Sequence, residues 1–193
     1  LPIIRIGNTV NHDNNINAIF AEEFQLEGAQ SIQYNPKTKQ PVWHTDGTFR
    51  QKPPIGSIFY CRQAPYSGGA TLFADTRMGY ESLNDNTKEF LLTLEAVCSL
   101  AHHDKKINLT SPSYPILTDV QRANNPITRV PIILTHPNTG NLAVYGINSS
   151  TCAVLPKGDS ITQKQLDEFE LQGIEHNSVE ILQQLLPSLT KSK

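Results

Sequence analysis

Trp43-His44-Thr45-Asp46-Gly47-Thr48-Phe49, then Pro53-Pro54, then Pro65-Tyr66-Ser67-Gly68-Gly69-Ala70-Thr71-Leu72-Phe73-Ala74-Asp75, is the stretch on which the fold of this chain turns. Val42 to His44, Ser57 to Cys61 and Thr71 to Ala74 are short runs rich in aromatic and β-branched residues, separated by prolines and glycines. Such runs predict strands joined by tight turns. On a strand, residues two apart point to the same face, so the His44 imidazole and the Asp46 carboxylate can converge on one ion. With a third ligand from elsewhere they make the set of two His and one carboxylate that leaves three iron positions open. The spacing alone is weak evidence, because a second His-x-Asp stands at His102-His103-Asp104.

Upstream, Ile3 to Ile6 reads as a strand, and the polar stretches Asn8 to Asn17 and Gln33 to Pro41 read as turns. Downstream, Asp75 or Thr76 caps a helix running through Leu83, and a second helix covers about Thr87 to Leu94. Pro131 to Thr135 and Leu142 to Gly146 flank His136-Pro137-Asn138-Thr139-Gly140, the clearest β-hairpin in the chain. Ser160 and Gln163 have capping-box spacing, and the apolar residues from Ile174 to Leu186 follow at helical intervals. They predict a long amphipathic helix ending at Pro187, with Gly173 kinking or dividing it. Asp104 to Arg129 carries Pro112, Pro115 and Pro126 without periodicity, so it reads as a long loop. A lid is the functional expectation there, with Arg122 or Arg129 as anion contacts. The fold expected from this order is mostly β with helices: a double-stranded β-helix (jelly roll) core with covering α-helices.

The chain has 193 residues and a hydrophobic fraction of 38%, which suits one globular domain over residues 1–193. Its net charge is −2 and its basic residues are dispersed, so neither nucleic acid nor an anionic membrane is an expected partner. The longest apolar segment, Phe90 to Ala101, is interrupted by Thr93, Glu95 and Ser99 and falls short of the ~18 residues that a spanning helix needs. A small-molecule partner fits better, and a homo-oligomer is left open. Leu1 to Ile6 has no signal-peptide pattern and reads as a processed or truncated end. Cys61, Cys98 and Cys152 are far apart and form no C-x-x-C pair, which argues against a disulfide framework or a zinc knuckle. Reduced thiols packed as small hydrophobes suggest a cytoplasmic setting.

The ordered set Trp43-His44-x-Asp46, Pro53-Pro54, Gly68-Gly69-x-Thr71 and Phe73-x-Asp75 resembles the TauD/TfdA family of Fe(II)- and 2-oxoglutarate-dependent dioxygenases. The likeness extends from Ile3 through the hairpin into the C-terminal helix. It implies that His44 and Asp46 are two of the three iron ligands, and that Thr71 hydrogen-bonds a carboxylate of 2-oxoglutarate. It also implies hydroxylation of a small organic acid or sulfonate with O2, as 2-oxoglutarate is decarboxylated to succinate and CO2. Phe73 to Arg77 and Gly146 to Ser150 look slightly closer to the aryloxyalkanoate branch than to the taurine branch. The family's distal His and its 2-oxoglutarate-binding Arg would fall beyond Lys193, so the chain is expected to be a partial domain with little or no turnover alone. The alternatives are a non-catalytic jelly-roll binding module, or a pseudoenzyme or split subunit lacking the third iron ligand. The family likeness sets His102 to Asp104 beside the metal centre rather than in it. His136 reads as a turn residue, and His12 and His176 as solvent-facing.

Overall fold

A computed structural model describes residues 43–61, 73–110, 112–146 and 148–189. Thr71, Gly68-Gly69, His12, the Ile3 to Ile6 strand and the two polar stretches before Val42 lie outside the described residues. The chain divides into two compact units, residues 1–42 with 58–72 and residues 43–57 with 73–193. Of the first unit, residues 58–61 are described, and they are irregular and exposed. Every element below belongs to the second unit.

Its centre is the apolar run Leu94–Cys98, which forms strand β1. Four of its five residues are buried, so it reads as a strand covered on both faces, and a continuous apolar run rather than an alternating one is what such a position requires. β1 lies between β2, Thr128–Pro131, and β5, Thr151–Pro156, and both pairings are antiparallel. Ala96 faces Val130 on one side and Val154 on the other. A bulge at Val97/Cys98 shifts the β5 register, so that Cys98 pairs with Thr151. The extra residue re-aims the start of β5, a common use of a bulge beside a site.

One face of this sheet, with Leu94, Ala96, Cys98 and Val154, packs on Leu91, Ile132, Val144, Leu182 and Leu185. The opposite face, with Val97 and Ala153, packs with Cys152 on Phe169. The first core is closed by helices α1, Thr76–Glu81, and α2, Asp85–Leu92, and by the hairpin of β3, Ile133–Thr135, and β4, Leu142–Val144. Helix α3, Leu100–Thr110, leaves β1 directly and packs against α5, Gln163–Gln172. Between them in sequence lies α4, Asp119–Asn124. A short 3-10 turn, Asn177–Val179, leads into α6, Glu180–Leu189, which lays Leu182 and Leu185 on the first core.

Several local expectations match these elements. Asp75 caps α1 by accepting from the backbone of Arg77 and Met78, and Arg77 pairs with the same carboxylate at 2.7 Å. Hydrogen bonds from Arg77 are the largest influence on Asp75, opposed by slight burial, and they hold its carboxyl at about 2. The hairpin forms in the expected place, with Thr135 opposite Leu142, and His136 sits in its turn, where Nδ1 accepts from the Asn138 and Thr139 amides. Gly173 ends α5 and so divides the C-terminal helical region. The capping box is Thr162 with Gln165, two residues later than expected, and α6 runs past Pro187.

The jelly-roll expectation is overturned. Among the described residues helix outweighs strand, and the sheets are a three-stranded and a two-stranded one, neither closed into a barrel. No double-stranded β-helix core is present among them. The physical reason is that strand propensity acts only where a partner edge is available, and the described residues offer none to Ser57 to Cys61. Ser57 to Cys61 is strand-like in composition, yet all five residues are exposed and irregular. The second correction concerns Asp104 to Arg129, which is not a long loop. Its first residues continue α3, α4 occupies Asp119–Asn124, and β2 begins at Thr128. Ser99 takes the N-cap place of α3, its hydroxyl accepting from the His102 amide at 3.2 Å. Thr118 and Gln121 form a capping box for α4. With the loop gone the lid loses its basis. Arg122 pairs with Asp119 at 3.1 Å and Arg129 with Glu95, so both proposed anion contacts already have carboxylate partners.

Candidate functional site

His44 is followed by a turn over Asp46–Phe49, closed by the Arg50 amide donating to the Gly47 carbonyl at 2.9 Å. The turn, not a strand, brings the two side chains together: His44 Nε2 stands 3.1 Å from Asp46 Oδ1. Both side chains are more than half exposed, at 55% and 65%, so the pair is open to a ligand from solvent. Gly47 makes the turn possible. Its φ is +73°, and a Cβ there would stand 2.9 Å from Pro54 Cδ. This ties Pro53-Pro54 to His44-x-Asp46: the second proline packs on the bare glycine between the candidate ligand pair and Thr48.

Three polar contacts hold this turn to the sheet. Thr48 is fully buried, with Oγ1 3.3 Å from Ser150 Oγ. Thr128 Oγ1 donates to the Thr48 carbonyl at 2.8 Å, reaching from the first residue of β2. Asn148 Nδ2 donates to the Thr45 carbonyl, the backbone group between the two candidate ligands. Phe49 then packs against the first core, with its ring 6.5 Å from that of His103 and the Arg50 guanidinium 6.0 Å from its centroid. Beneath Thr48 lies Cys98. Burial pushes its thiol up, against the hydroxyls of Thr151, Thr48 and Ser150, so it stays protonated and is a poor metal ligand.

Sequence reasoning found His44 and Asp46 but not Thr48, Thr128, Asn148 and Ser150, because these contacts join residues 80 or more apart in sequence. The one available signal was the polar Gly146 to Ser150 segment, which reads more readily as a substrate feature.

The rival pair has a different use. His102 and Asp104 lie on helix α3, where residues two apart diverge. His102 is fully buried, and its Nδ1 is 2.9 Å from the Phe169 carbonyl, an acceptor only, so Nδ1 carries the proton. Its Nε2 has no hydrogen-bond partner within ordinary reach among the described residues; it stands 3.9 Å from Glu175 Oε1, which Lys106 bonds. His103 Nδ1 is 3.3 Å from Asp104 Oδ1. His176, half-buried rather than solvent-facing, caps the 3-10 turn and meets Ser178 Oγ at 2.7 Å. Cys98 and Cys152 are buried as expected, whereas Cys61 is exposed.

Burial acts to raise the Glu175 carboxyl, but the neighbouring His102 and Lys106 more than reverse this and hold it at about 2, below the usual 4.5. A folded-state value below the unfolded one means that the contribution is present above about pH 4.5 and is lost as pH falls toward 2. Glu175→Gln is therefore expected to flatten the acid limb of a urea-stability profile across that window. The expected size, discounted for partial exposure, is on the order of 2 kcal/mol. A wild-type acid limb in the variant would contradict the assignment.

His44 and Asp46 offer the donor types that iron takes, and their convergence fits two corners of a facial set. Among the described residues no group of three His, Cys, Asp or Glu is placed to hold a metal ion, so they supply no third corner. Also among them, no helix is long and apolar enough to cross a membrane.

The profile of the family described as taurine catabolism dioxygenase TauD, TfdA family matches residues 4–171. The (S)-phenoxypropionate/alpha-ketoglutarate-dioxygenase of Sphingobium herbicidovorans is 30% identical over 99 residues, 51% of this chain and 34% of that protein. The alpha-ketoglutarate-dependent sulfate ester dioxygenase of Pseudomonas putida is 32% identical over 127 residues, 62% of this chain and 38% of that one. The chain thus spans between 34% and 38% of the length of these two relatives. Among solved structures, AAD-2 in complex with Mn(II) and N-oxalylglycine aligns with a TM-score of 0.41 at 19% identity, covering 61% of this chain and 38% of that one.

Proposed function

The chain belongs to the TauD/TfdA family of dioxygenases, and from that premise we propose that it carries the His44-x-Asp46 part of an Fe(II)/2-oxoglutarate centre that is incomplete within this chain. Acting alone it is a metal-binding but non-catalytic unit, in the manner of a pseudoenzyme or of one part of a split site. The observation that carries this is the 3.1 Å approach of His44 to Asp46 with no third donor beside them among the described residues. Iron, when bound, supplies the activation of O2 on which this family's chemistry depends. The chain's own residues would hold the two groups: His44 and Asp46 as ligands of the iron, and Thr71 as the hydrogen-bond partner of a 2-oxoglutarate carboxylate.

Residues 1–193 are taken as part of a single domain of the family. The whole protein's reaction is proposed as hydroxylation of a small organic acid or sulfonate with O2 and 2-oxoglutarate. The names of the phenoxypropionate and sulfate ester relatives support an acidic substrate class. Two buried, unpaired thiols, Cys98 and Cys152, favour a cytoplasmic setting.

The test is an anaerobic titration of Fe(II) and 2-oxoglutarate into the chain and into His44→Ala, followed by visible absorption and by succinate formation on admitting air. The expected result is weak metal binding that His44→Ala abolishes, with no succinate above the free-iron background. Robust succinate formation by the pure chain would replace this proposal with a complete enzyme. Equal behaviour of the chain and the variant would remove His44 from the site.

A further inference from the structure

Asn148 lies between β4 and β5, more than 100 residues from the candidate ligands in sequence, yet its side-chain amide reaches the backbone between them. The amide is itself held at both ends. Its Oδ1 accepts from the Ser150 amide at 2.7 Å, while Nδ2 donates to the Thr45 carbonyl. Its own carbonyl accepts from the Thr151 amide at 3.2 Å. Thr151 Oγ1 in turn donates to the Gly146 carbonyl at 2.9 Å. Gly146 lets the chain press on the sheet: its φ is +77°, and a Cβ would stand 3.1 Å from Ala96 Cβ and 3.3 Å from Val130 Cγ2. The Asn148 side chain is therefore fixed to the rigid sheet rather than to a loose loop.

We propose that Asn148 is a positioning residue for the metal ligands: by holding the Thr45 carbonyl it sets the turn that keeps His44 and Asp46 converged on one ion. The inference rests on the reading of His44 and Asp46 as ligands. Thr48 and Ser150 secure the far side of the same turn, but among the described residues only the Asn148 side chain bonds the backbone between the two ligands. Groups that orient ligands without touching the metal typically change affinity about 10- to 100-fold when removed.

The experiment uses the whole chain with Mn(II) as probe, the free ion being read by electron paramagnetic resonance, and compares the unsubstituted chain with Asn148→Ala, Asn148→Asp and His44→Ala. Asn148→Asp keeps the size and the acceptor for Ser150 but has no hydrogen to give Thr45. Its added negative charge by itself would tighten cation binding, so weaker binding marks lost positioning. Both Asn148 variants are expected to weaken Mn(II) binding at least about tenfold. In the metal-free variants the Arg50 amide should exchange faster, while the β1 amides keep their protection. If both variants bind Mn(II) like the unsubstituted chain while His44→Ala loses it, the positioning role is wrong and the ligand reading stands. If His44→Ala binds like the unsubstituted chain, the ligand reading fails and the proposal with it. Loss of β1 protection in both Asn148 variants would also overturn it, since Asn148 would then be a requirement of the fold.

Discussion

Gly47→Ala is expected to collapse the metal binding proposed for His44 and Asp46 while leaving the sheet folded. The backbone at Gly47 has φ +73°, a region that costs an L-residue about 1–2 kcal/mol. The new methyl would also meet Pro54 Cδ at 2.9 Å, and overpacking of this kind costs about 1–3 kcal/mol. The turn can relieve both by moving, and the nearest group to move is Asp46. A distortion of ~2 kcal/mol or more corresponds to at least about a 30-fold loss of affinity. Two further variants separate the causes. Gly140→Ala, at φ +72° with no atom of the described residues within 4 Å, bears only the backbone cost. Pro54→Ala added to Gly47→Ala removes the collision but not the backbone cost, so Mn(II) affinity should recover in part. Full affinity in Gly47→Ala alone would show that the turn does not hold the proposed ligand pair.

Phe169→Ala is expected to be the most destabilising single substitution on the α5 side of the sheet. Phe169 is 2% exposed and fills the second core with Val97, Cys152 and Ala153. Truncating such a ring costs about 3–5 kcal/mol, a large share of the ~5–15 kcal/mol by which a domain is stable. The damage extends to a polar group, because the Phe169 carbonyl accepts from His102 Nδ1 and from the Gly173 amide. If α5 shifts into the vacated space, the fully buried His102 ring loses its hydrogen bond to that carbonyl. Urea unfolding of Phe169→Ala beside Leu171→Ala, an exposed position two residues on, reads the contrast. The Leu171 variant should stay within about 0.5 kcal/mol of the unsubstituted chain. A loss below about 1 kcal/mol for Phe169→Ala would mean that the second core contributes little to stability.

Features whose signal lies within a few residues were legible in the sequence: the Asp75 cap, the 131–146 hairpin, the break at Gly173 and the spacing of His44 and Asp46. Each rests on side-chain and backbone chemistry that acts locally. Leu94 to Cys98 carries no local signal that decides its element. An apolar run with no alternation suits a buried helix as well as a central strand, and the edges offered by β2 and β5 decide for the strand. The same dependence on partners misled the reading of Ser57 to Cys61, whose strand-like side chains find no edge among the described residues and are exposed. In Asp104 to Arg129 three prolines suggested a loop. Pro112 and Pro115 in fact follow the end of α3, and Pro126 lies between α4 and β2, so they separate elements rather than prevent them.

By itself the sequence determined the family to which the chain belongs and the identity of the two candidate ligands, because both are carried by residue types in a fixed local order. Only the tertiary structure decided that a turn rather than a strand brings His44 to Asp46, that the other His-x-Asp serves helix packing, and that Asn148, Thr128 and Ser150 hold the turn. Those contacts join segments some 80 to 100 residues apart. Their partners are set by strand register and by the Val97/Cys98 bulge, which no local spacing encodes.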